Sequence, residues 1–133
     1  MLANLMALDI RGPHSSIRIE DRDEPMLELP ERLEIDAPRF AQFADKFEQT
    51  FSFEGDELKR LTDEVFRLLD SFRAMKEGQL ESLGMVQTDD PVVRASLFDE
   101  VVRRNPVHQK LETLLACCKQ AVADGQPVHC RAN

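Results

Sequence analysis

The sequence predicts an all-α fold: a long central heptad-patterned helix packed with two shorter C-terminal helices in a three- or four-helix bundle, behind an irregular or short-β N-terminal segment. Three observations predict it. Apolar residues recur at alternating steps of three and four from Ala37 to Met75. Two later stretches each open on a capping residue followed by proline, Asp90-Pro91 and Asn105-Pro106. Five Gly among 133 residues leave little material for a turn-dense β fold, and 32% charged residues suit long helices.

The first eight residues gather Met1, Leu2, Leu5, Met6 and Leu8, an apolar patch expected to dock on the core or reach a neighbouring subunit. Residues 1–35 then read as a partly extended leader. Gly12-Pro13 punctuates it, and residues 16–19, 26–29 and 33–35 alternate apolar with polar, the period of a strand. Pro25 and Pro30 confine such strands to a sheet edge.

The helical domain spans 36–133. Asp36 is the expected N-cap, with Pro38 in the first turn, where its missing N–H costs nothing. The seam that follows is Phe40, Phe47, Phe51, Leu58, Leu61, Val65, Leu68, Phe72 and Met75, with Glu54 its one polar member. Its phase crosses Gly55 without a slip. That favours one helix from 37 to about 83, bent at Gly55, over two helices meeting there. Opposite charges four apart, such as Asp63/Arg67 and Arg60/Glu64, support the helix from outside. Phe43, Phe53, Phe66 and Leu69 fall off the seam and imply packing against more than one neighbour.

Gly84 ends this helix. Val93, Leu97 and Val101, with Phe98 and Val102, give a helical stripe to about Arg104. Val107, Leu111, Leu114, Cys118, Ala121 and Val122 form the face of the last helix, stopped by Gly125 and Pro127. Residues 129–133 show no pattern and read as loose.

Charge narrows the function. The chain carries 17 basic and 25 acidic side chains, a net of −8. Such a surface repels phosphate backbones, so nucleic acid and anionic membrane are not expected partners, while a basic protein partner is compatible. No stretch approaches the roughly 20 apolar residues of a membrane span. The three cysteines, Cys117, Cys118 and Cys130, are odd in number and two are adjacent, so they make no disulfide framework and suit a reducing, cytoplasmic setting.

Motifs of catalysis are missing: no Glu-x-x-His, His-Glu-x-x-His, Gly-x-Ser-x-Gly or Gly-rich phosphate loop. Catalytic, cofactor and metal residues are therefore expected to be none. The leading expectation is a non-catalytic helical protein–protein interaction module: a small acidic regulator, adaptor or chaperone-like protein. About 38 residues of seam span nearly 60 Å and overhang the short partner helices, so a homodimer, or a protein client, is expected to bury the surplus seam. Two alternatives stand beside it. Cys117, Cys118 and Cys130, with His108 and His129 near by, could form a metal- or redox-responsive site, although vicinal cysteines diverge on a helix. The last helix pair could act as a helix-turn-helix offering His108, Gln109, Lys110 and Thr113 to DNA, with only Arg103, Arg104 and Lys110 as its basic cluster.

Overall fold

The computed structural model describes residues 7–84 and 88–133; the apolar start at residues 1–6 and the connector at 85–87 lie outside the described residues. The all-α expectation is corrected. The chain forms a helix-dominated mixed α/β fold, in which a four-stranded antiparallel sheet of order β2-β1-β4-β3 is covered on one face by helices.

β1 (Leu8–Arg11) and β2 (Ser16–Ile19) form a hairpin in the register Leu8↔Ile19 and Ile10↔Ile17. Side chains alternate across a strand, so these four apolar residues face the helices, and Asp9 and Arg18 face out. Gly12, whose N–H donates to Ser15 O at 2.9 Å, closes the turn. A Cβ there would stand 2.7 Å from Cys117 Sγ, so only glycine lets the hairpin lie this close to the last helix.

Residues 26–29 and 33–35, read above as strands, are not strands. A 3-10 turn at Asp21–Asp23 leads into two single-turn helices, α1 (Glu24–Leu27) and α2 (Leu29–Arg32). Pro25 and Pro30 sit in their first turns, where the lost N–H is harmless. Met26 and Leu29, three apart, are buried together.

α3 runs from Pro38–Asp45 and buries Phe40 and Phe43. Its N-cap is Ala37, not Asp36, and has no capping side chain. The chain then turns back. Phe51–Phe53 is strand β3, and α4 (Gly55–Ser82) starts only at Gly55, which holds φ +57. The expected single helix through Gly55 is therefore two helices separated by a strand. Phe51 and Phe53 flank Ser52 with period two and pair with Cys130 and Val128 of β4. Phe43 meets Phe53 edge-on at 5.8 Å, so these two off-seam phenylalanines clasp α3 to β3 instead of widening a rod, while Phe66 stands exposed on α4.

α5 (Pro91–Arg103) and α6 (Pro106–Asp124) begin at the two Asx-Pro signals. Asp90 accepts the N–H of Val92 at 2.9 Å, and Asn105 accepts that of Val107 at 2.9 Å. Gly125, at φ +64, ends α6 in the left-handed conformation glycine tolerates. The C-terminal residues, expected loose, are β4 (Val128–Ala132), an interior strand between β1 and β3. Val128 and Cys130 point into the core while His129 and Arg131 point away. The core lies between the sheet and the α4–α6 pair.

Candidate interaction surface

The seam is spent inside the chain. Phe40, Leu58, Leu61, Val65, Leu68 and Phe72 are buried in its core, and Phe47, Phe51 and Met75 pack half-buried against it. The surplus length that called for a second chain is thus absent from the seam itself. Phe47 also helps to floor a groove of about 420 Å³ rimmed by Glu20, Asp21, Glu24 and Glu28.

One member of the same helix is buried without being apolar. Glu64, 1% exposed, turns inward from α4 and caps α3 from outside its own segment. Its Oε1 accepts the backbone N–H of Arg39 at 2.9 Å and of Phe40 at 3.0 Å. These are two of the orphan donors that every helix N-terminus leaves. Arg39 closes the arrangement, donating Nε to Glu57 at 2.7 Å and lying 3.4 Å from Glu64 Oε2. The expected pair Arg60/Glu64 does not form because Glu64 is committed here. Asp63–Arg67 does form, at 3.2 Å.

The three thiols lie in the core. Burial is the main cause that pushes Cys118 and Cys130 up to about 12, with the neighbouring thiols adding to it. Cys117 is pinned beneath Gly12, its Sγ 4.0 Å from Ser15 O. Among the described residues no group of three or more His, Cys, Asp or Glu converges as metal ligands.

His108 is fully buried in the first turn of α6, so it is not offered to any groove. Neither ring nitrogen has a hydrogen-bond partner. Nδ1 is 3.1 Å from Glu112 Oε1, within ion-pair range but badly angled for a hydrogen bond. Burial holds the imidazole below its usual pKa; Glu112 and Asp99 oppose that, and Arg73 and Arg103 reinforce it. Asp99 binds both arginines, Arg73 Nη2 at 2.7 Å and Arg103 Nε at 3.0 Å, tying α5 to α4 above the histidine. The other proposed groove residues of α6 are also engaged or scattered. Lys110 reaches back to Asp23 at 3.1 Å, and Thr113 donates to Gln109 O at 2.9 Å.

The unspent apolar surface is on α5. The large apolar side chains exposed among the described residues are Phe66, Leu83, Val92, Val93, Leu97 and Val101; four of these six belong to α5. Helical phase explains why. Phe98 and Val102 lie about 100–140° round the helix from Leu97 and are the two residues α5 buries. Polar clasps complete the docking: Arg73–Asp99, an Arg94–Glu81 pair, and Arg94 stacked 5.4 Å from the Phe98 ring. Val93, Leu97 and Val101, 40–45% exposed at steps of four, are left as a ridge. Beside its C-terminal half, Leu80 of α4 and Leu83 just past the end of that helix extend the apolar surface along a groove of about 250 Å³. The sequence marks this stripe by its spacing, but spacing alone points it at the core.

Among the described residues no helix is long and apolar enough to cross a membrane. Compared with protein-family models, with curated proteins and with solved structures, the chain matches none.

Proposed function

We propose that this chain is a non-catalytic helical interaction module that docks a protein through the α5 ridge. One observation carries the reading: a continuous apolar stripe, Val93-Leu97-Val101, stands in solvent on a helix whose other face is already satisfied. A monomeric soluble domain scatters exposed apolar residues singly; a contiguous stripe rimmed by charge marks an interaction surface. The charged rim here is Asp90, Arg94, Glu100 and Arg104. The mode is a helix face presented to a complementary helix or groove, with anchors at i, i+4 and i+8.

The reading includes a reducing, cytoplasmic setting, which the three free thiols favour. A thiol-based sensor is the weaker account. Its cysteines are buried, and the two shifted groups are held as neutral thiols, whereas reactive cysteines sit exposed in electropositive surroundings.

The test is a photo-activated cross-linking residue placed at position 97 in the producing cell, with Lys119, exposed on α6, as the control position. Position 97 is expected to yield a protein adduct that disappears when Val93 and Val101 are changed to Asp. An adduct yield at 97 no higher than at 119 would refute the reading.

A further inference from the structure

We infer that the partner of the α5 ridge is a second copy of this chain, docked antiparallel about a two-fold axis passing beside Leu97. This rests on the ridge being a docking surface and names its occupant. The exposed face is itself symmetric about Leu97.

An α-helix turns about 100° per residue, so residues within about 60° of Leu97 share its face. Going out from Leu97 in both directions, that face carries Val93 and Val101, Arg94 and Glu100, and at its two ends the cap residues Asp90 and Arg104. Each pair is equidistant from Leu97. When an identical helix is laid antiparallel across it, with the two Leu97 residues level, residues whose numbers sum symmetrically about 97 come level with each other. Val93 then meets the level of Val101, Arg94 that of Glu100, and Asp90 that of Arg104. Apolar matches apolar along the seam, and Asp90 and Arg104, each about 20° from its centre, bring opposite charges together at both ends, while Arg94 and Glu100, about 60° off centre on opposite flanks, come level without meeting. In a parallel pairing the same residues would come level with themselves, stacking Asp90 on Asp90 and Arg104 on Arg104. The face is self-complementary in one orientation only.

Two further features agree. Antiparallel docking sets the positive N-terminal end of each helix beside the negative C-terminal end of the other. Arg104 is bonded within its own chain to Glu100 at 2.6 Å, an exposed pair of the kind worth at most about 1 kcal/mol, so the partner's Asp90 can share it at little cost. A two-fold interface of this kind closes on itself and leaves no second ridge to propagate a fibre. One helix face is small for a specific interface, which puts the dissociation constant on the order of micromolar.

Cysteine placement tests orientation and occupant together, because the native thiols are buried and leave an introduced thiol as the reactive one. Leu97→Cys is expected to form a disulfide-linked dimer in air. Val93→Cys and Val101→Cys are expected to join to each other through a short bis-maleimide when mixed, and neither to itself, since like positions stand about 12 Å apart along the axis. Asp90→Asn keeps the capping oxygen and removes the charge, so the helix persists while dimerisation weakens several-fold. Arg104→Glu is expected to weaken it about tenfold or more, by facing Asp90 with a like charge.

Self-linking of Val93→Cys in preference to the mixed pair would overturn the antiparallel geometry. A chain that sediments as a monomer at about a hundredfold the expected dissociation constant would overturn the second copy as occupant. The docking reading survives that second result if position 97 still captures another protein in the cell, and falls with it if nothing is captured.

Discussion

Replacing Glu64 with alanine is expected to be among the most damaging single changes in this chain, although the residue is charged and lies on a helix rich in surface charge. The reason is that its carboxylate replaces the missing cap of α3. Oε1 holds the N–H groups of Arg39 and Phe40 at 2.9 and 3.0 Å, and Ala37 at the N-cap position offers no side chain in its place. Alanine strands two donors, that of Phe40 in a fully buried setting. A buried donor left unpaired costs about 1–3 kcal/mol, so the sum is about 3 kcal/mol once the partly wet Arg39 N–H is given less weight. Against a total stability of about 5–15 kcal/mol this is a large share. Glutamine keeps an acceptor oxygen at the same reach and loses only the charge, a cost of about 1 kcal/mol. Urea unfolding followed by far-ultraviolet circular dichroism is the assay, since the chain has neither Trp nor Tyr. With a slope of about 1.5 kcal/mol per molar, Glu64→Ala should lower the midpoint by roughly 2 M and Glu64→Gln by less than half of that. A Glu64→Ala variant within 0.5 M of the parent, on the order of a surface substitution, would refute the capping account; so would glutamine and alanine being equally damaging.

Three other outcomes are expected. Burial holds the His108 imidazole below the ordinary 6.5, so the folded state binds its proton less well than the unfolded chain. The stability it contributes is full above pH 6.5 and is lost as pH falls through its folded value; His108→Phe should flatten that limb of a urea-midpoint-against-pH curve, and an unchanged limb would assign it to other groups. The core thiols should resist a thiol reagent in the native state at mildly alkaline pH and all react in denaturant; fast native reaction of Cys118 or Cys130 would contradict the burial that raises both to about 12. Gly55→Ala, at φ +57, should destabilise by about 1 kcal/mol, whereas Gly78→Ala, inside α4 with nothing within 4 Å of an added Cβ, should stabilise by about 0.5–1 kcal/mol; the same sign at both would break the distinction.

The elements legible in the sequence are those whose cause is local. Asp90-Pro91, Asn105-Pro106 and Gly125 mark helix ends by groups a few residues from the site they act on, and α5 and α6 start and stop there. The alternation of Ser16–Ile19 likewise gives β2. Elements made by distant partners were hidden. Leu8-Asp9-Ile10-Arg11 alternates too, but it adjoins an apolar start that absorbs the pattern. Val128–Ala132 is a strand because β1 and β3 flank it, and five residues at a chain end carry little signal of their own. Phe47 and Phe51 happen to fall in heptad phase with both α3 and α4, so the three-four spacing bridged a segment where Phe51-Ser52-Phe53 follows period two. The interaction surface was half legible. Periodicity divides α5 into two apolar stripes, Phe98 with Val102 and Val93 with Leu97 and Val101, but the choice of the inward stripe is made by α4 and α6. Nothing in the local sequence distinguishes Glu64 from the solvated carboxylates around it.

The account turns on whether the α5 ridge is where the molecule meets another. Sedimentation velocity of the parent chain and of Leu97→Glu, both checked by circular dichroism for retained helix, measures this most directly. Leu97 is 40% exposed, so its replacement leaves the fold's own packing nearly untouched. The account predicts a parent that moves with concentration from the 15.2 kDa of one chain towards twice that mass, and a Leu97→Glu variant that stays at 15.2 kDa throughout. A variant that associates as the parent does, with its helices intact, would contradict it.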